Sequence, residues 1–313
     1  MDIALDGACR LIDRGVIRAA GADAATFLQG QLTNDVLSLG SERARLAGFC
    51  SAKGRLQASF IVWRAGPDEF LLACPLGVLA PTLKRLSMFV LRAKCKLTDA
   101  SDEIHLWGLA GARAEATLGG LPDWGRRVLG DGSTVLRLPD AAGVHRALVA
   151  VPAASTTPEF AAAPALSLDD WNWLDVQSGI VTIESVTVDR FVPQMVNFER
   201  VGGVDFQKGC YPGQEVVARS QYRGTTKRRT FLFESDAIPQ PGQDVFAGDE
   251  AGEPAGTVAN AAPRPDGRGG SALVELRLAA LDGPALHLGT PDGPLLRRVE
   301  LPYPLGLEPE AAG

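Results

Sequence analysis

The chain has 313 residues, 46% of them apolar, and a net charge of −6. That apolar share is ample for a packed core and excludes global disorder, while the acidic balance argues against a dedicated nucleic-acid binder, which needs a basic face for phosphates. The five cysteines, Cys9, Cys50, Cys74, Cys95 and Cys210, show no CxxC or CxxxC spacing, which excludes a disulfide framework or a zinc site, predicts no metal ligands and fits a reducing compartment.

The opening "MDIALDGACR" has two aspartates and no apolar signal core, so a cytoplasmic protein is expected. "RGVIRAA" (14–20) predicts a short strand, and Asp23 is placed to cap a helix that ends near Gln29. Strands are predicted near 43–50, 55–64 and 69–74, with turns at "AKG" and "AGPDE". A helix over 77–91 follows, with Leu79, Leu83, Leu86 and Val90 on one face. Pro81, Lys84 and Arg85 interrupt it, so no membrane span is expected. "KCKLTDA" reads as another strand.

A second, similar unit begins with the strand-like "EIHLWGLA", the helical "ARAEATL" and the strand-like "STVLRLP" and "HRALVAVP". The Ala/Pro/Thr-rich "AASTTPEFAAAPAL" reads as an exposed loop. Ser167, with Asp170 three residues on, starts a helix that carries Trp171 and Trp173 and stops near Gly179. The two units divide at about residue 100 and together fill 1–228. From 229 to 313 short apolar runs alternate with Gly, Pro and Asp, which predicts a small β-barrel.

The chemistry concentrates in "FQKGCYPGQEVVARS" (206–220). "GGVDF" predicts a turn and a strand before it. Pro212 suits the first position of a helix through "GQEVVAR". Cys210 then lies beside a helix N-terminus and two residues after Lys208, and both positive influences favour thiolate. Glu215 partly offsets them. The alternative is a buried, inert cysteine. Downstream, "YRGTTKRR" brings Arg223, Lys227, Arg228 and Arg229 together, either as a solvated cluster at a domain junction or as a site for an anionic small molecule.

Lys208, Gly209, Cys210, Tyr211, Gly213, Gln214, Glu215 and Arg219 together resemble the signature of the YgfZ family of folate-binding proteins, which includes the Iba-type iron–sulfur assembly factors. "FLQGQLTND" (27–35), "FCSAKGRL" (49–56) and "FVPQMVNFERVGGVDF" (191–206) resemble further stretches of that family. The family is similar in turn to the glycine-cleavage T-protein, a tetrahydrofolate-dependent aminomethyltransferase. The resemblance implies an α+β, T-protein-like ring of three subdomains around a central channel: two mixed α/β (ferredoxin-like) units and a C-terminal β-barrel.

It further implies tetrahydrofolate, or a folate derivative, in that channel. By matching motifs the folate contacts are Gln29, Asn34, Asp35, Lys53, Arg55, Gln194 and Asn197, with Arg223 and Lys227 for the anionic tail. Asn34 and Asp35 serve equally as turn caps, and Lys53 as a hairpin charge. Cys210 and Lys208 are the implied reactive pair, with the sulfur facing the pterin cavity. The implied partners are folate and iron–sulfur client or assembly proteins, with no nucleic acid, no membrane and a monomeric state. The competing reading is an aminomethyltransferase. T-proteins carry an aspartate pair on the strand after the first hairpin; here that strand reads "GRLQASFIV", with Gln57 and Ala58 in place of the pair.

Overall fold

The computed structural model describes residues 5–155, 160, 164–222, 226–248 and 252–306. The chain opens with β1 (Gly7–Arg10), β2 (Arg14–Ala20), α1 (Ala24–Gln29), β3 (Ala44–Cys50), β4 (Leu56–Gly66), β5 (Glu69–Pro75), α2 (Leu76–Ser87) and β6 (Lys96–Asp99). There follow β7 (Ile104–Ala110), α3 (Gly111–Leu118), β8 (Arg126–Val128), β9 (Thr134–Ala141), β10 (Val144–Pro152) and α4 (Leu168–Gln177). The last part holds α5 (Gln214–Tyr222), β11 (Arg228–Ser235), β12 (Asp244–Ala247), β13 (Gly256–Pro263), β14 (Gly270–Arg277), β15 (Leu286–Leu288) and β16 (Leu295–Val299).

Two five-stranded antiparallel sheets result, ordered β3-β4-β5-β2-β6 and β1-β7-β10-β9-β8, with a closed barrel β11-β14-β13-β12-β15-β16. The division at residue 100 does not separate the sheets, because β1 pairs with β7, Gly7 opposite Ala110. That strand is four residues long and its partner lies about a hundred residues away, so local periodicity does not announce it.

Alternation along the strands gives each sheet two apolar faces. Ala58, Phe60 and Val62 of β4 pack on Phe27, Val78 and Leu86 of the helices. Ala44, Trp63, Leu71 and Ala73 turn the other way, onto Leu106, Leu136, Leu148 and Ala150 of the second sheet and onto Trp171 and Leu174 of α4. The sheets thus meet inner face to inner face, as period-two side-chain direction requires. Helix α4 starts as its sequence predicts, the Ser167 hydroxyl accepting from the Asp170 amide at 3.0 Å. Asp23 does not cap α1 with its side chain; its carboxylate accepts from the Lys94 amide at 2.7 Å.

Three expectations change. Helix α2 ends at Ser87 rather than 91. "GGVDF" contains no strand, and the Asp205 amide donates to the Thr33 carbonyl. Within the loop read as exposed, Phe160 is buried edge-on to Trp107, ring centroids 5.7 Å apart.

Candidate functional site

Two regions gather the chemistry. The first is the loop before α5. Gly213 has φ +79°, and a Cβ there would lie 2.4 Å from the Ser51 carbonyl oxygen and 2.6 Å from Gly54 Cα. A left-handed residue cannot continue a helix, so α5 starts at Gln214 and not at Pro212. The same close approach seats the loop on the β3–β4 turn.

Cys210 is exposed, whereas Cys9, Cys50, Cys74 and Cys95 are buried. Burial pushes the Cys50 and Cys74 thiols up to about 12 and Cys9 up to about 11, which keeps them protonated and inert. Gly209 stands in open space beside Cys210. Lys208 is buried, and its ammonium donates to the carbonyls of Gln29 and Leu32 at the end of α1 while lying 5.2 Å from the centre of the Tyr211 ring. Burial pulls it down to about 8, against the raising influence of Asp35 and Asp205. Lys208 therefore anchors the loop to a helix C-terminus, where a cation is favoured. Tyr211 is buried beneath it, and burial pushes its hydroxyl up. Glu215 and Arg219 pair across one turn at 2.6 Å on the exposed face of α5.

The second region is a cleft between the sheets, with a narrow inner cavity of about 70 Å³ that shares Arg14 and Asp175 with a wider outer pocket of about 360 Å³, the latter within the range of small-molecule sites. Ile61, Trp124 and Trp171 wall the inner cavity, and Arg14, Arg146 and Asp175 supply charge. Asp175 accepts from Arg14 at 2.9 Å and from Arg146 at 2.7 Å. Gly108 of β7 leaves room for the Trp171 indole, since a Cβ there would fall 2.4 Å from it. The outer pocket adds Asp13, Asn172 and Glu184. Burial pushes the Glu184 carboxyl up, although Asn260 and Arg14 oppose this. Asp13 Oδ1 and Asn172 Oδ1 are buried without hydrogen-bond partners.

The sequence missed these cavity residues. The signal available was a charge at a core-facing position: Arg14 opens one strand, Arg146 sits within the apolar "HRALVAVP", and Asp175 follows Trp171 and Leu174 on α4. Conversely, none of Gln29, Asn34, Asp35, Lys53, Arg55, Gln194, Asn197 and Lys227 lines a described cavity. Gln29 accepts from the Val36 amide, Asn34 ties Leu46 to Gly202, and Asp35 faces Ser38 and Arg45. Arg55 donates to the Arg190 carbonyl, and Lys53 and Lys227 are exposed. Gln194 and Asn197 are buried against α5 and the barrel, donating to the carbonyls of Val217 and Thr230. Arg223 lies outside the described residues.

The anion site expected at "YRGTTKRR" is not assembled from the arginines that follow. Arg228 pairs with Glu275 and Arg229 with Glu199. Cys210 is exposed and lines none of the described cavities. Among the described residues no three or more His, Cys, Asp or Glu side chains cluster as metal ligands, and no helix is long and apolar enough to cross a membrane.

A family model described as the GCVT N-terminal domain matches residues 11–126. The tRNA-modifying protein YgfZ of Serratia proteamaculans is 33% identical over 270 residues, 82% of this chain and 80% of that protein. Its Edwardsiella ictaluri counterpart is 35% identical over 246 residues, 75% of this chain and 74% of that protein. The crystal structure of glycine cleavage system aminomethyltransferase T from Bartonella henselae superposes with a TM-score of 0.73 at 16% identity, over 95% of this chain and 85% of that one. The fold is thus α+β and T-protein-like, with two antiparallel sheets and a six-stranded barrel, and at this level of identity to its curated relatives the chain belongs to the YgfZ family.

Proposed function

We propose that the protein is a folate-binding accessory factor: it holds a reduced folate between its sheets and presents Cys210 to iron–sulfur client proteins, supporting assembly or repair of their clusters. The inter-sheet cavity is then the central channel of a three-subdomain ring. The observation that carries the reading is the pairing, in one cavity, of aromatic walls with a carboxylate held between two arginines.

A pterin needs flat apolar walls and paired hydrogen-bond groups at its edge. Its amino-pyrimidinone edge presents two adjacent donors, which match a carboxylate. Asp175 and Glu184 are the carboxylates at hand, Trp124 and Trp171 the aromatic walls, and Arg14 and Arg146 the donors to its oxygen. The unpartnered Asn172 Oδ1 and the Asp13 Oδ1, which has only Arg14 Nε at 3.6 Å, fit a polar ligand, since buried acceptors call for partners. A bound reduced folate would supply one-carbon chemistry there; this chain's residues bind it, orient it and exclude water.

The name of the curated relatives extends the reading: the clients include enzymes that modify tRNA. The protein acts on them in the cytoplasm as a monomer and does not itself hold tRNA, in keeping with its net charge of −6. The transferase reading loses support, because Ala58 is packed in the core and Gln57 lies beside α2, outside the inter-sheet cavity.

Titration with tetrahydrofolate, followed by calorimetry, tests the cavity. Saturable binding is expected, weakened about tenfold or more by Asp175→Asn, since the charged acceptor is lost and two arginines are left buried without it. Absence of saturable binding would remove the folate assignment. Cys210→Ser is expected to lower iron–sulfur enzyme activity and tRNA modification in cells. Aminomethyl transfer with the other glycine-cleavage components would establish the competing reaction.

A further inference from the structure

The β3–β4 hairpin that seats the Cys210 loop has a second neighbour. A groove of about 320 Å³ runs between the hairpin and α2, with Pro81 and Val188 on its floor, buried Phe49 and Val78 beneath them and Met88 at its flank. Met88 is 68% exposed, and Phe89 and Leu91 continue the apolar surface beyond it. Lys84 and Arg85 line its edge. From Leu76 to Thr98 the chain carries Lys84, Arg85, Arg92, Lys94 and Lys96 and no acidic residue. All five cations are exposed, and none forms an ion pair among the described residues.

A second observation lies within the groove. The register of β3 and β4 shifts between Phe49 and Cys50, which leaves Gln57 as the extra residue of a bulge. Gln57 lines the groove, and its Oε1 is buried with no hydrogen-bond partner. A buried acceptor left open costs free energy unless something donates to it. An apolar floor, a lone acceptor and a cationic rim together specify a ligand with apolar side chains, a donor and negative charge.

We infer that this groove docks an acidic, apolar segment of a partner protein, with apolar side chains in the floor, a donor to Gln57 and carboxylates against Lys84 and Arg85. A nucleic acid fits less well. Phe49 is buried and offers no stacking face, and the chain's net negative charge repels a long polyanion but scarcely a short acidic segment. Docking on the hairpin that carries the Cys210 loop tethers the partner beside the sulfur and raises its local concentration. In this respect the inference deepens the proposed function and rests on Cys210 meeting client proteins.

The test uses the full chain and a fluorescent amphipathic helical peptide of about four turns, with Leu and Phe on one face and Glu on the other. A counterpart with Lys in place of Glu, a tRNA transcript and anionic phosphatidylglycerol vesicles are compared. Saturable binding of the acidic peptide is expected, weakened by salt and reduced about tenfold or more by Lys84→Glu with Arg85→Glu, or by Met88→Glu. All three positions are exposed, so the variants fold, and circular dichroism verifies it. Equal binding of the basic peptide, or acidic-peptide binding indifferent to these substitutions, overturns the inference. So does binding of the transcript or vesicles that is lost in the same variants while the acidic peptide fails to bind. Tetrahydrofolate is titrated into the same preparations. Peptide binding without folate binding retains the groove and removes the cavity assignment; folate binding without peptide binding does the reverse.

Discussion

Lys208 is the residue whose placement most changes the picture of the cysteine motif. Its ammonium holds two carbonyls at the end of α1 and its stem is buried, so it fixes where the neighbouring Cys210 stands. Its pKa falls to about 8 from an ordinary 10.5 because burial disfavours the charge. Between those values the unfolded chain binds more protons than the folded one, so this residue's contribution makes stability rise with pH across that window; below about pH 8 the burial penalty is present in full. The native protein is expected to gain on the order of 1–2 kcal/mol relative to Lys208→Met between about pH 7.5 and about pH 9.5. Urea unfolding of both proteins across the range checks this, and parallel pH profiles would assign the titration to other groups.

At the scale of elements, the Cys210 loop depends on a meeting of two turns. Gly213→Ala places a Cβ against the Ser51 carbonyl and Gly54 with φ still positive. A loss of about 1–3 kcal/mol is expected, together with faster labelling of Cys210 or proteolysis nearby as the loop leaves the hairpin. Thermal unfolding and cysteine-labelling rates measure the two effects. Regular elements were largely legible in the sequence: β2 matches its predicted span, and α4 carries its predicted cap. What escaped was non-local. The start of α5 is set by Gly213 pressing on a turn some 160 positions earlier. Nor did the sequence show that Gln29 and Asn34 hold backbone groups of residues 36, 46 and 202, partners that have no signature in composition or spacing. The cavity charges were hidden for the same reason, since a lone Arg or Asp in an apolar run gains meaning only when two sheets face each other.

Across the whole molecule, the barrel is joined to the rest by a buried ion pair. Arg229 at the start of β11 meets Glu199, both side chains under a tenth exposed, and Arg229 also donates to the Gln194 carbonyl at 2.8 Å. Arg229→Met leaves the buried Glu199 carboxylate only Arg200, 3.6 Å away and half-exposed, and is expected to cost about 3 kcal/mol. Arg219→Ala, at the exposed pair on α5, is expected to change stability by under about 0.5 kcal/mol. Chemical denaturation of the two variants ranks them, and equal losses would show that the buried pair does not secure the barrel.

The pairing of β1 with β7 carries a consequence for how the protein is made. A nascent chain that has delivered the whole of the first sheet still keeps Gly7–Arg10 in reserve, because its mate Ile104–Ala110 emerges about a hundred residues later. Deleting Gly7–Arg10 would therefore wound the later-born sheet rather than the earlier one. Cut at the apparent seam near residue 100, the first half would keep its whole sheet with one strand to spare, and the second would lack an edge strand.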